Sequence, residues 1–252
     1  MLQLALIGYG RMGRKIHNLA GAHDMEINCI VDPHAEGADP DIGEEKLSLC
    51  DVAIDFSHPD ATPGNLQMLL NLNVPVVIGT TGWFEDVSRI KSQVDDAKGK
   101  VLYGSNFSLG VQLFNKLIAR AGELFGSTKQ YDAGLHELHH TGKADAPSGT
   151  AKTLAQTWID HSGSGRKSVY SIGKQDKPDP GHFYVTSQRV GSIFGEHHLK
   201  IISEFDDIEI SHKARSRDGF AAGALQAAGW LHKQKSGFYL IEDVIEDISR
   251  QV

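Results

Sequence analysis

Apolar positions along this chain follow two rhythms. Short apolar runs of strand length sit at Leu4–Ile7, Ile27–Val31, Val52–Asp55, Pro75–Ile78 and Val101–Tyr103. Between them, Arg14–Ala20, Pro59–Asn73 and Phe84–Ala97 have helical spacing. Pro63 and Gly64 push the start of the second of these helices later. Buried strands that alternate with helices predict a parallel sheet. After Phe107 the rhythm changes. Leu109–Phe125 reads as an amphipathic helix, with Leu113, Leu117, Ile118, Ala121 and Leu124 near helical spacing. Strand-like segments then dominate: Tyr131–His139, Ser168–Ile172, His182–Val190, Ser192–Ser203 and Ile208–His212. One helix after Ser148 interrupts them, and Gly163–Gly165 and Lys174–Gly181 read as loops. Phe220–His232 and Leu240–Ile248 read as closing helices that return to cover the first domain.

The first strand runs into Gly8–Tyr9–Gly10–Arg11–Met12–Gly13, and the second ends at Asp32, 19 positions past the last glycine. A GxGxxG after a strand, before a helix and followed by an acid is a dinucleotide-binding pattern. Gly8 makes the tight turn, Gly10 lets a pyrophosphate approach the backbone, and Gly13 lets helix and strand pack closely. Asp32 accepts from the adenosine ribose hydroxyls. Ligands of a parallel sheet bind beyond the carboxyl ends of its strands. Three small or polar loops leave such ends, at Phe56–Ser57, Gly79–Thr81 and Gly104–Phe107. They suit a nicotinamide ribose and carboxamide. The expected fold class is α/β: an N-terminal Rossmann-type doubly wound parallel sheet over residues 1–106 with a C-terminal return over 217–252, and an α+β domain over 107–216 for substrate and oligomerisation.

The densest chemistry lies in Glu137–Thr150. His139, His140 and Lys143 stand within five positions, just before Pro147–Ser148–Gly149–Thr150 and a helix start. His exchanges a proton near neutral pH. Lys143 supplies a cation with three donors. Ser148, or Asp145 one turn earlier, caps the helix. The N–H groups of its first turn face an anion such as a carboxylate. One loop therefore offers a proton donor, a fixed cation and an anion cradle, which suits a small acidic substrate.

Composition narrows the classes. Of 252 residues, 40% are hydrophobic and 23% charged, as in an ordinary soluble protein. A net charge of −7 with no basic cluster argues against nucleic acid as the partner. The apolar N-terminal run is short and enters glycines directly, so it reads as a strand, not a signal peptide. No run reaches membrane-span length. Cys29 and Cys50 lack metal spacing and fit a reduced, cytoplasmic chain. His136, His139, His140, His197 and His198 invite a metal reading. Neighbours on a strand point to opposite faces, and nothing completes a shell, so no metal is expected.

The motifs as a set resemble one family. Gly10–Arg11–Met12–Gly13, Gly79–Thr80–Thr81–Gly82, Asn106–Phe107–Ser108 and above all His139–His140–x–x–Lys143–x–Asp145–Ala146–Pro147–Ser148–Gly149–Thr150 are similar to the dihydrodipicolinate reductases. These are also called 4-hydroxy-tetrahydrodipicolinate reductases, and they act on the diaminopimelate route to lysine. Arg189–Val190–Gly191, Gly195–Glu196–His197 and His212–Lys213–Ala214–Arg215–Ser216–Arg217 extend the likeness over nearly the whole chain. The resemblance implies NAD(P)H-dependent reduction of 4-hydroxy-tetrahydrodipicolinate, through its cyclic unsaturated imine, to tetrahydrodipicolinate. It implies His139 as acid/base residue and Lys143 as a second donor, with His140, Lys143, Ser148, Gly149 and Thr150 on the substrate carboxylates. It implies Gly8, Tyr9, Gly10, Arg11, Met12, Gly13, Asp32, Phe56, Ser57, Gly79, Thr80, Thr81, Gly104, Ser105, Asn106, Phe107 and Arg217 around NAD or NADP. It also implies a homotetramer paired through sheets of the second domain, in accord with long strands over His182–His212 that need a cover.

Two departures stand out. The first loop is one residue shorter than the commoner form of the family. Pro33 replaces an Arg that meets the 2′-phosphate of NADPH in many members, so NADH is expected to serve at least as well as NADPH. Two rival classes remain: another two-domain dehydrogenase acting on an amino or sugar acid, and a dinucleotide-sensing regulator. The first needs no such set of His, Lys and Ser-Gly-Thr. The second needs a DNA- or partner-binding segment, and the chain has no basic helix.

Overall fold

The computed structural model describes residues 1–41, 43–83, 86–170 and 179–250. Its elements run β1 (Leu2–Ile7), α1 (Arg11–Ala20), β2 (Met25–Val31), α2 (Glu44–Leu47), β3 (Val52–Asp55), α3 (Thr62–Asn71), β4 (Val76–Ile78), α4 (Val87–Asp96), β5 (Lys100–Tyr103) and α5 (Leu109–Phe125). Then follow β6 (Asp132–His139), α6 (Gly149–Ser162), β7 (Lys167–Val169), β8 (His182–Arg189), β9 (Glu196–Ile202), β10 (Asp207–Lys213), α7 (Asp218–His232), β11 (Gly237–Leu240) and α8 (Ile241–Arg250). Contacts divide the chain into two compact units, Met1–Leu109 with Asp218–Val252, and Gly110–Arg217.

The first unit is a six-stranded sheet in the order β11-β5-β4-β3-β1-β2, with every pair parallel. Alternation along each strand divides its side chains between two cores. Leu4, Leu6, Ile54, Val77 and Leu102 face one side, with Ile16 of α1, Ala224 and Ala228 of α7 and Val244 of α8. Ala5, Ile7, Ala53, Val76, Ile78 and Val101 face the other, with Leu47 of α2, Leu66 and Leu69 of α3 and Val94 of α4. Helices on both faces make the sheet doubly wound. Its order reverses between β1 and β3, the point beyond whose strand ends such sheets take their ligands.

The second unit is a mixed five-stranded sheet in the order β10-β9-β6-β8-β7. β6 pairs parallel with β8 and antiparallel with β9. One face carries α5 and α6 over Phe114, Ile118, Leu135, Trp158, Phe183, Leu199 and Ile201. The face built from the alternate positions bears His136, Tyr184, Thr186, Lys200 and Ile202 around a shallow depression.

Several sequence expectations need correction. α1 starts at Arg11 and not at Arg14, because Gly10 already serves as its N-cap. α3 starts at Thr62 and keeps Pro63 and Gly64 in its first turn, where the missing Pro N–H costs no hydrogen bond. β9 starts at Glu196 and not at Ser192, because Gly195 (φ +154°) breaks the extended run. β11 and α2 were not expected at all. β11 has four residues, and pairing with β5 defines it. The last two residues of the strand expected at Ser168–Ile172, the first two of the helix expected at Phe84–Ala97, and 174–178 of the expected loop lie outside the described residues.

Candidate active site

In the first unit the nucleotide-type loops converge at the sheet's point of reversal. Gly8 has φ +89°, and a Cβ there would lie 2.4 Å from the Phe56 carbonyl oxygen. A Cβ on Gly13 would lie 2.2 Å from the Gly8 carbonyl oxygen. One on Gly10 would meet nothing within 4 Å and would project into open space. So two glycines are needed for packing, and the third leaves the N-terminus of α1 accessible to an anion. No side chain caps that terminus. This is the fit a dinucleotide pyrophosphate requires.

Asp32 stands at the end of β2. Its carboxylate accepts from Tyr9 N–H at 2.7 Å and from His34 N–H at 2.8 Å. Burial pushes its pKa up, but the backbone donors of Tyr9, His34 and Ala35 outweigh this and hold it below the usual range. The charge is therefore fixed beside the Gly-rich loop. Tyr9 packs back on α1, with its hydroxyl 2.7 Å from His17 Nδ1 and the Arg14 guanidinium 4.7 Å above its ring. Arg11 is exposed and Met12 half-buried.

Phe56 fills the space above Gly79, where a Cβ would lie 2.2 Å from its ring. It also meets Phe107 edge-on at 5.8 Å. Phe107 is buried, with Gly104 against its ring and Gly223 of α7 against its carbonyl. Its side chain therefore shapes the loop from beneath. Ser57 is half-buried, Thr80 buried, and Thr81 and Ser105 exposed. Asn106 Oδ1 accepts from Ser108 N–H at 2.9 Å. Arg217 belongs to the second unit, one residue before α7.

In the second unit the end of β6 carries the chemistry. Alternation puts Glu137 and His139 on the same face, and both are buried. The Glu137 carboxylate lies against His139 Nδ1 and stands 2.8 Å from Arg189 Nη2. Burial pushes the Glu137 pKa up, but donors from His139, Ser187 and Arg189, with the charge of His139, hold it at about 2. A carboxylate on Nδ1 leaves Nε2 as the ring nitrogen of His139 not engaged by Glu137. A Cβ on Gly195 would lie 2.9 Å from that Nε2, so only glycine admits the ring here.

His197 packs edge-on to His139 with centroids 5.5 Å apart. Burial first, then repulsion from His139, lowers its pKa to about 4, so it is neutral. Its Nε2 lies 3.5 Å from Ser148 Oγ. That same Oγ accepts from Ala151 N–H at 3.1 Å, so Ser148 and not Asp145 caps α6. Gly149 is exposed and Thr150 half-buried in the first helical turn.

Lys143 Nζ pairs with Asp145 at 2.7 Å, and this contact leads in holding the Asp145 carboxyl below its usual range. Arg189 binds the same loop through the carbonyls of Lys143 (3.3 Å) and Asp145 (2.5 Å). His140 half-covers Gly142, where a Cβ would lie 3.4 Å from its Nδ1. So the structure groups His139 and Ser148 and ties the Lys143 loop to them through Glu137 and Arg189. His140 is not part of that cluster.

Three residues of this cluster had no role in the sequence reading: Glu137, Arg189 and His197. The Glu-x-His spacing within one strand was the available signal for Glu137. Ligand-type atoms of Glu137, His139 and His197 lie within 4.8 Å of one another, a spacing that would suit a metal. Arg189 already neutralises the one carboxylate of that set, which makes it an ion-pair cluster.

Comparison with known proteins agrees with this geometry. The profile described as Dihydrodipicolinate reductase, N-terminus, matches residues 2–107, and that for its C-terminus matches 110–245. The 4-hydroxy-tetrahydrodipicolinate reductase of Christiangramia forsetii is 36% identical over 247 residues, which is 98% of this chain and 99% of that protein. The protein of the same name from Zymomonas mobilis is 35% identical over 249 residues, 97% of each. A dipicolinate-bound dihydrodipicolinate reductase from Paenisporosarcina sp. TG-14 superposes with a TM-score of 0.78 at 22% identity, over 96% of this chain and 99% of that one. Among the described residues no helix is long and apolar enough to cross a membrane. On matching profiles in both halves and relatives above 30% identity over nearly full length, the chain belongs to the dihydrodipicolinate reductase family of nicotinamide-dependent oxidoreductases.

Proposed function

We propose that this chain reduces 4-hydroxy-tetrahydrodipicolinate, through its cyclic unsaturated imine, to tetrahydrodipicolinate in the diaminopimelate route to lysine. The observation that carries this reading is the buried Glu137–His139 pair beside a Ser148-capped helix start and a lysine. Dipicolinate, held by the Paenisporosarcina relative, is a flat dicarboxylate mimic of such a ring.

The Gly-rich loop and Asp32 of the first unit would hold a nicotinamide dinucleotide, and the second unit carries the acid and the anion cradle. A bound nicotinamide supplies the hydride, which adds at the ring carbon conjugated to the imine. Negative charge then builds at the far end of the conjugated system. His139 delivers the proton there through Nε2, and Glu137 stabilises the cationic ring until it does so. Lys143 leaves Asp145 for a substrate carboxylate and supports protonation. Gly149 and Thr150 meet a carboxylate at the N-terminus of α6, and His140 joins them from the loop.

NADH serves at least as well as NADPH in this reading. Asp32 keeps its charge, which repels a 2′-phosphate, and Pro33 offers that phosphate no donor. Arg11 and His34 compensate only in part. The second sheet pairs between subunits through the face that bears His136, Tyr184 and Ile202, and gives a homotetramer. A monomer in sedimentation at micromolar concentration would contradict that assembly.

The decisive experiment follows NADH and NADPH oxidation with freshly prepared substrate, beside a titration with pyridine-2,6-dicarboxylate in the presence of nucleotide. Turnover and nucleotide-dependent binding of the dicarboxylate are expected. Absence of both sinks the assignment.

A further inference from the structure

The carboxylate of Asp55 has no part in the roles above. It ends β3, beside Ile7 of β1, and is 1% exposed. Its Oδ1 accepts from Ser57 N–H at 2.9 Å, Ser57 Oγ at 2.6 Å and Thr80 Oγ1 at 3.0 Å. Its Oδ2 accepts from Asn65 Nδ2 at 2.9 Å, and that amide also reaches Ser57 Oγ at 3.2 Å. One buried group thus ties together the loop after β3, the loop after β4 and the first turn of α3.

All four donors are neutral. Among the described residues no cationic side chain pairs with Asp55. A buried carboxylate normally sheds its charge unless donors or cations hold it. Ser57 N–H can only donate, and the two hydroxyls and the Asn65 amide are placed to donate as well, an array that suits a carboxylate with no cation beside it at the carboxyl end of a central strand. It lies directly beneath the two loops, Phe56–Ser57 and Gly79–Thr81, whose composition suits a nicotinamide ribose and carboxamide.

We propose that Asp55 is a positioning residue of the cofactor site, which sets these two loops and whose charge favours the cationic, oxidised nicotinamide over the neutral, reduced one. This rests on the reductase reading. A fixed charge in a dry site acts over a longer range than in water and costs no reorganisation as the cation forms. Asp55 needs no contact with the ring for this. A tenfold preference is about 1.4 kcal/mol, which two unit charges exchange at about 12 Å with an effective dielectric of about 20.

The test is a fluorescence titration of NADH and of NAD⁺ against wild type, Asp55→Asn and Thr80→Val, with thermal unfolding as a folding check. In Asp55→Asn the new amide keeps its oxygen on the Ser57 and Thr80 donors, and Asn65 turns its own amide over to accept. The shape survives and the charge goes. NADH affinity should then stay within about threefold while NAD⁺ affinity falls about tenfold. Thr80→Val keeps the charge and loosens the loop, so both forms should weaken alike. An Asp55→Asn protein with an unchanged NAD⁺/NADH affinity ratio overturns the proposal. So does a changed ratio in Thr80→Val, which decides the matter even where Asp55→Asn does not fold. Wild type that binds neither dinucleotide instead overturns the reductase reading, and the proposal falls with it.

Discussion

Replacing Glu137 with Gln keeps the size of a fully buried side chain and removes its charge. That charge faces His139 on one side and Arg189, 2.8 Å away, on the other. An ordinary Glu titrates near 4.5, whereas the contacts of Glu137 overcome its burial and hold it at about 2. The drop corresponds to about 3 kcal/mol of stability. For a carboxyl whose folded pKa is depressed, that stability is present above pH 4.5 and is lost as pH falls to about 2. Breaking a buried pair from one side costs about 3–5 kcal/mol by an independent route, because the partner charge is left behind. Glu137→Gln should therefore cost about 3 kcal/mol at pH 7. Urea unfolding should follow Trp158 in a chain with Trp83 and Trp230 changed to Phe, so that the second unit is read by itself. Two units need not unfold together. Adding Arg189→Gln should recover at least about 1 kcal/mol of the loss, since the stranded cation is gone. Between pH 4.5 and 2 the variant should also lose about 3 kcal/mol less stability than its parent. A cost below about 1 kcal/mol, or an unchanged acid profile, would show that the buried pair does not stabilise the fold as argued.

Four further outcomes are expected. His139→Gln should lower kcat by roughly 10²–10⁴-fold with dinucleotide affinity intact, while Lys143→Ala should also raise KM for the substrate; near-normal kcat in the first, with chemistry rate-limiting, moves the acid to another residue and makes His140 next to test. Gly13→Ala should abolish dinucleotide binding in calorimetry, because its Cβ would lie 2.2 Å from the Gly8 carbonyl oxygen; measurable binding would mean that α1 shifts freely. His197 is neutral when folded and titrates at about 4 against an ordinary 6.5. The unfolded chain alone takes the proton between these values, so acidification through that window should cost about 3 kcal/mol, and His197→Gln should flatten this part of the stability curve. Finally, kcat/KM for NADPH should not exceed that for NADH by more than about tenfold; a larger excess means that groups other than Asp32 control the choice.

Much of this protein is local and therefore legible in the chain. The parallel sheet follows from buried strands alternating with helices, and Gly8 and Gly13 declare their turn because a Cβ at either would collide with backbone. The Ser148 cap belongs to the same class, although choosing it over Asp145 took the observed bond to Ala151. Glu137 was also within reach, since i and i+2 share a face of a strand. What the chain by itself did not determine was long-range. β11 carries little pattern of its own over four residues and exists through its pairing with β5. Arg189 reaches Glu137 and His197 reaches His139 only because β8 and β9 flank β6 in one register, His139 opposite Arg189 and Glu137 opposite His197. Asp55 reads as the polar end of an apolar strand. Its four donors come from three segments that only the folded sheet brings to one point. Local rules set backbone conformation residue by residue, but a buried charge is tolerated only where distant donors converge, and strand order and register decide which donors those are.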